Sequence, residues 1–302
     1  MSSGADSVKS IFFALGANTA IALAKTAGAI YTGSASMLAE AIHSFADCAN
    51  QALLLLGLRE TRRPASAEHP LGHGRAIYFW SFIVALMLFS MGGLFSIYEG
   101  VHKLQGSAPL SNAWIAMAIL GFGVVAESVS LWGALREIAK VRGDRSLWRW
   151  FRQSRESELL VIFAEDVAAL AGLVLALAAI AMAQATGDPR WDAAGSIGIG
   201  AVLVSVAVMV AIEIKALLIG QSVAPEIVQS MRDHLASEPE VAEVYNVLTQ
   251  QMGGDVMLAV KARFHPLASD RALVEAINAI ELRLRTAFPA LRWIFFEPDL
   301  ND

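Results

Sequence analysis

Cysteine is almost absent from this chain: Cys48 is the only one in 302 residues. No intrachain disulfide can form, and no thiolate cluster can hold a metal. Charge is scarce as well. Charged residues make up 17% of the chain and hydrophobic ones 56%, with positive mean hydropathy, whereas soluble domains are about 25% charged. An ordinary soluble domain is therefore excluded, and an integral membrane protein is expected. The net charge of −5 says little alone, because its layout is uneven. Several chemical signatures are missing too. There is no His-Glu-x-x-His, no Gly-x-Ser-x-Gly and no phosphate-cradling Gly-Lys-Ser/Thr loop, which argues against a zinc protease, an α/β-hydrolase and an ATP-driven pump. Residues 1–8 carry no cleavable signal pattern, so the first apolar stretch is expected to be retained as a span.

What is present is a series of six apolar stretches, near 9–31, 37–58, 76–100, 112–135, 156–184 and 193–219. A crossing helix needs about 20 residues, and the longer stretches imply tilt or extension past the bilayer. Gly28, Gly33, Gly57, Gly92 and Gly93 would let helices approach closely or end. The loops set orientation. Arg59, Arg62, Arg63 and Arg75 lie in the 59–75 loop, and Arg136, Lys140, Arg142, Arg145, Arg149, Arg152 and Arg155 in the 136–155 loop. The opposite loops carry only Lys103 and Arg190. This bias places both termini in the cytoplasm, and Trp148, Trp150 and Trp191 suit interface positions.

Composition changes near residue 220. From 222 to 302 there are seven Lys/Arg and twelve Asp/Glu. Residues 219–225 read as a hinge, 226–237 as an amphipathic helix, and 241–250 and 255–265 as strands around a Gly-Gly turn. A capped helix over 270–288 and a strand over 291–297 follow. The predicted architecture is a polytopic α-helical membrane protein: six transmembrane helices over 1–220, then a small α-β-β-α-β cytoplasmic domain over 221–302. At about 80 residues that domain has a modest core, and association is a source of extra stability.

The second stretch organises the rest. It carries Glu40, His43, Ser44, Asp47, Asn50 and Gln51, and at helical spacing 40, 43, 47 and 50 share one face. A charge in hydrocarbon costs at least ~2.5–3.5 kcal/mol, so this face should look at protein or water. An imidazole and a carboxylate meeting at i and i+4, as His43 and Asp47 can, suit a divalent cation; they could also simply bond each other. In the fifth stretch, Glu165 and Asp166 lie deep in apolar sequence among Ala164, Ala168, Ala169 and Gly172. Helical neighbours point about 100° apart, so one is expected to bind and the other to pair or to carry a proton. Lys25 is a candidate counter-ion. Glu127 is another acid within a span, with a proton role or pairing to Arg136 as alternatives. Asp188 and Asp192 could draw cations at the outer mouth, although helix capping suits Asp192. Glu68, His69 and His73 form a possible weaker metal relay in the first cytoplasmic loop, or a structured loop with its histidines satisfied by protein.

These features together resemble the cation diffusion facilitator family, and within it the branch of zinc transporter 9-like proteins. The resemblance covers nearly the whole chain. It is carried by Thr32-Gly-Ser-Ala-Ser-Met-Leu-Ala-Glu40-Ala-Ile-His43-Ser-Phe-Ala-Asp47-Cys-Ala-Asn50-Gln51 and by His69-Pro-Leu-Gly-His73-Gly-Arg-Ala-Ile-Tyr-Phe-Trp80. Glu165-Asp-Val-Ala-Ala-Leu-Ala-Gly172 and the closing Glu297-Pro-Asp299 also fit. The resemblance implies a transport site of two residues from the second span and two from the fifth, each pair four apart. His43 and Asp47 match the first pair, and Asp166 the second member of the other. Its first member falls at Ile162, which cannot ligate, so Glu165 or a water would complete the shell. The family's loop acid falls near Ser66, leaving Glu68 as the substitute beside His69 and His73. The resemblance also implies a C-terminal domain that dimerises; this one is poor in His and Cys, so no strong regulatory metal site is expected there.

The functional expectation is a homodimeric secondary transporter that exports divalent transition metals from the cytoplasm by proton antiport with alternating access. Zn²⁺ leads, with Fe²⁺, Co²⁺, Mn²⁺ and Ni²⁺ open. No cofactor is expected besides the transported ion, and the partners are metal, protons, lipid and a second copy, with no nucleic acid. A bacterial inner membrane is the expected location. An intramembrane metal-dependent enzyme and a membrane-anchored scaffold are the alternatives; the polar stripe disfavours the scaffold, and the missing hydrolytic motifs disfavour the enzyme.

Overall fold

The structure, a computed structural model, describes residues 3–105 and 112–301, with side chains from Asn18 onward. The chain ends assigned to the cytoplasmic side, residues 1 and 302, lie outside the described residues. Long helices come first: α1 (Ser3–Thr32), α2 (Ala35–Thr61), α3 (Ala76–Met87), α4 (Phe95–Leu104), α5 (Ala113–Arg142), α7 (Ser157–Thr186) and α8 (Arg190–Ile219), with a short α6 (Leu147–Gln153). A π-helical turn, Leu88–Leu94, joins α3 to α4 into one continuous 29-residue helix.

Among the described residues, four helices are long and apolar enough to cross a membrane: Ala76–Leu104, Ala113–Arg142, Ser157–Thr186 and Arg190–Ile219. The other two stretches read as spans do form long helices, of 30 and 27 residues. α2 pays for its polar stripe in hydropathy, since His43, Asp47, Asn50 and Gln51 fall mid-helix. Small residues let the helices meet. At Gly200 of α8 an added Cβ would come within 2.6 Å of the Gly93 carbonyl oxygen, so the π-helical turn and α8 touch backbone to backbone. Two apolar cores run through the bundle. One lies around Met37, Leu88, Leu120, Leu173, Ile180 and Leu203. The other, around Tyr78, Ile138, Trp150, Leu160 and Ile214, lies toward the C-terminal end of α8.

The 136–155 segment holds structure beyond a basic loop. α6 is capped by Ser146, whose side chain accepts from the Arg149 N–H. Trp150 is buried edge-on against Phe163 at 5.8 Å, while Trp148 and Trp191 are exposed. Trp150 is therefore a core residue, not an interface anchor: one turn of helix swings it inward.

After α8 come α9 (Pro225–Ala236), β1 (Val241–Met252), β2 (Asp255–Phe264), α10 (Asp270–Ala287) and β3 (Leu291–Pro298). The sheet order is β1-β2-β3, with β1 and β2 antiparallel and β2 and β3 parallel. The parallel pair is what the α10 crossover produces. Alternate residues of β2, namely Val256, Leu258, Val260 and Ala262, are buried against Met231, Leu235, Ile280 and Leu284. Ser269 caps α10 by accepting from the Ala272 N–H. The 220–224 linker is pinned, not loose: Gln221 accepts from the Gln251 N–H at 2.9 Å, and Ser222 bonds Thr249 at 2.6 Å. The β1–β2 turn docks on the bundle where the Gly253 N–H donates to the Tyr78 hydroxyl at 2.9 Å.

Candidate functional site

α2 turns its polar stripe inward, so that Glu40, His43 and Asn50 are buried. The stripe divides into two parts. Nearer the start of α2, Lys25 reaches from α1 to Glu40 at 3.2 Å and donates to Ser44 at 2.7 Å. Lys25 therefore serves the second span, not the acids of the fifth. Glu40 also lies where only a glycine fits: a Cβ on Gly172 of α7 would come within 2.3 Å of its Oε1. Further along, His43 Nδ1 sits 3.6 Å from Asp47 Oδ1. Among the described residues, neither ring nitrogen of His43 has a hydrogen-bond partner, and neither has Asp47 Oδ1. Buried polar atoms without partners are uncommon and costly. The π-helical turn borders the same ring, since a Cβ on Gly92 would lie 3.8 Å from His43 Nδ1. Such turns recur at functional sites.

Asp47 opens onto a cavity of about 360 Å³ inside the bundle. Glu165 and Asp166 of α7 and Glu127 of α5 line it too, with Asn18, Gln51 and Ser130. Both fifth-span acids thus reach one space, although neighbours on a helix diverge. They do so by standing on different walls. Glu165 accepts from Asn50 of α2 at 2.5 Å, while Asp166 accepts from Ser130 of α5 at 3.1 and 3.2 Å. Ile162 also lines the cavity, as the apolar residue at the turn before Asp166. His43 does not line the cavity; it adjoins it through Asp47, 3.6 Å away. Glu127 makes no ion pair among the described residues, and Arg136 instead covers the Trp132 ring at 3.6 Å. As arranged, no group of three or more His, Cys, Asp or Glu among the described residues is close enough to hold a metal ion. The carboxylates ring the cavity without converging.

The loop histidines do come together. The His69 and His73 rings lie 4.4 Å apart, brought there by a turn in which the Gly72 N–H bonds the His69 carbonyl at 2.9 Å. Glu68 is exposed and pairs with neither ring among the described residues. Asp192 is the residue that sequence reasoning misplaced. It is fully buried and caps the start of α2 in place of its own helix, accepting from the Ala35 N–H at 2.6 Å. No local signal marks a cap whose partner is 157 residues away.

A family model described as the cation efflux transmembrane domain matches residues 11–219. Among curated proteins, the chain is 36% identical over 226 residues to the proton-coupled zinc antiporter SLC30A9, mitochondrial, of Xenopus laevis, covering 74% of this chain and 40% of that protein. It is 33% identical over 250 residues to the protein of the same name from Homo sapiens, covering 82% and 44% respectively. To metal tolerance protein C4 of Arabidopsis thaliana it is 31% identical over 223 residues, covering 72% and 48%. The chain thus spans less than half the length of these relatives. The two SLC30A9 proteins are named as antiporters, not enzymes. With that match and the long apolar helices, the chain is a multi-pass integral membrane protein and belongs to the cation efflux (cation diffusion facilitator) family, close to the zinc transporter 9-like branch.

Proposed function

We propose that this chain is a secondary transporter that moves a divalent transition metal, Zn²⁺ first, out of the cytoplasm in exchange for protons. The observation that carries the reading is one cavity within an apolar bundle, lined by Asp47 from α2 and by Glu165 and Asp166 from α7. α1 and α2 complete six spans in this reading, with both termini cytoplasmic and the 221–302 region forming a dimer. Asp47, Asp166 and Glu165, joined by His43 when α2 and α7 close together, hold the ion. Since the acids surround the cavity without meeting, binding draws the helices inward, and opening on one side or the other accompanies that movement.

Ligating imidazole must be neutral and ligating carboxylates ionised, so protons and metal compete for the same atoms. Protonation from the far side expels the metal, which is the physical basis of the exchange. One imidazole among oxygens is borderline donor chemistry, which favours Zn²⁺ and leaves Fe²⁺, Co²⁺, Mn²⁺ and Ni²⁺ as competitors. The His69–His73 pair is a second, weaker place for a borderline divalent ion such as Zn²⁺ on the cytoplasmic face, with Glu68 as the nearest acid.

The test is metal-dependent proton flux in proteoliposomes carrying an internal pH dye. His43→Ala and Asp47→Ala are expected to abolish flux while the protein still folds; normal flux in both rejects the site. Equilibrium metal binding by Glu165→Ala and Asp166→Ala then separates ligand from neighbour. Loss in neither removes α7 from the site.

A further inference from the structure

The end of the bundle away from the cavity mouth contains a buried carboxylate that the proposed ion site does not use. Asp192, in the first turn of α8, accepts from Ser34 Oγ at 2.6 Å, the Ala35 N–H at 2.6 Å and the Ser36 N–H at 3.3 Å. The Ser36 hydroxyl donates to it as well. Lys103 of α4 lies 3.4 Å from its Oδ2 and donates to the Gly33 carbonyl. The first N–H groups of a helix have no partner within it and carry the positive end of its dipole. A carboxylate there makes charge-assisted bonds stronger than neutral ones. α4 and α8 are pressed together at the same level, where a Cβ on Gly100 would come within 2.7 Å of the Ala193 carbonyl.

The cavity opens the other way. Its wall continues through Leu54, Leu55, Leu58 and Glu158 toward the C-terminal sheet. Leu58 and Glu158 also line a larger space of about 820 Å³ between the bundle and that sheet. The bundle is therefore tied shut at Asp192 and open at Leu58.

We propose that Asp192 is a positioning residue for transport. It holds the start of α2 against α4 and α8, sealing the ion cavity on that side, and the far side opens only when its bonds to α2 break. This inference rests on the transporter reading, but its test does not use transport. In a Cys48→Ser background, one reporter cysteine is placed at Ala39, fully buried just past the capped turn, and another at Leu58. Labelling rates with a charged thiol reagent are measured on the purified full chain, with and without Asp192→Asn.

Weakening the carboxylate is expected to speed labelling at position 39 by about five-fold or more, the scale set by weakening hydrogen bonds to a charged group, and to slow it at position 58. Faster labelling at both positions would mean α2 has simply come loose, and would overturn the proposal. Unchanged rates at both would also overturn it. Lys103→Met removes the tie to Gly33 but keeps the α2 cap, and carries the same test should Asp192→Asn fail to fold: the same reciprocal change, smaller, is expected, and its absence overturns the proposal. Normal flux in Asp47→Ala and His43→Ala would reject the ion site and leave this reciprocal labelling standing.

Discussion

The helix bundle and the C-terminal sheet bury different kinds of residue. Around the sheet, the core is Val256, Leu258, Val260, Ile280, Leu284 and their apolar neighbours, and among the described residues Glu238 is the one charged group buried there. The bundle buries Lys25, Glu40, His43, Asn50, Glu165, Asp166 and Asp192. Each fully buried Val, Leu or Ile contributes about 1.5–3 kcal/mol, so the sheet core is accounted for by stability alone. Buried charge works against stability unless it is well paired, and apolar replacements of such pairs are often neutral or better. The contrast separates residues whose burial stability explains from residues whose burial needs another reason: Glu165 and Asp166 line the cavity, Lys25 pairs with Glu40, and Asp192 holds the start of α2 at the other end.

The comparison can be broken in four places, taken from the largest expected effect. Asp47→Asn keeps the shape of α2 but removes a charge from the cavity; equilibrium Zn²⁺ binding by calorimetry is expected to fall to background with little change in thermal stability. Binding at the original strength would return Asp47 to a structural role. Lys25→Met leaves Glu40 buried without its cation and is expected to destabilise by about 3–5 kcal/mol, whereas Lys25→Met with Glu40→Leu should lose far less. Equal losses in the two would mean the pair stabilises in its own right. Leu258→Ala in the sheet is expected to cost about 2–5 kcal/mol of stability while metal binding by the folded protein stays unchanged. Lost binding at retained fold would tie the sheet core to the ion site.

The smallest effect is a pH dependence at the sheet surface. Lys261 lies 3.0 Å from Asp299 and, with the Leu300 and Asn301 N–H groups, holds its carboxyl below the usual range. A depressed folded-state value means the contribution is present above the ordinary Asp range and is lost as pH falls through the lower folded value. Asp299→Asn should therefore lower the melting temperature slightly at neutral pH and leave it nearly unchanged in acid below the folded value, which flattens the acid limb.

Much of this was readable in the chain because it is local. The stripe of Glu40, His43, Asp47 and Asn50 follows from helical spacing: Glu40, His43 and Asn50 are buried, and Asp47 lines the cavity. The strands fall within two residues of their expected ends, since alternation and the Gly253–Gly254 turn mark them. The unreadable parts depend on distant partners. Lys25 could have served any acid of the bundle, and only packing assigns it to Glu40. Asp192 reads as a cap of its own helix, yet the start of α2 presents more donors. His69 and His73 meet through a turn around Pro70 that helical spacing does not anticipate. Trp150 looks like an interface residue until α6 turns it into the core.

The most direct test of the central claim is a structure of the protein loaded with Zn²⁺, with the metal located by its anomalous scattering. The account predicts a peak within the bundle, bounded by Asp47 on α2 and by Glu165 or Asp166 on α7. A loaded protein whose only peak lies at His69 and His73, with the cavity beside Asp47 unoccupied, would contradict it.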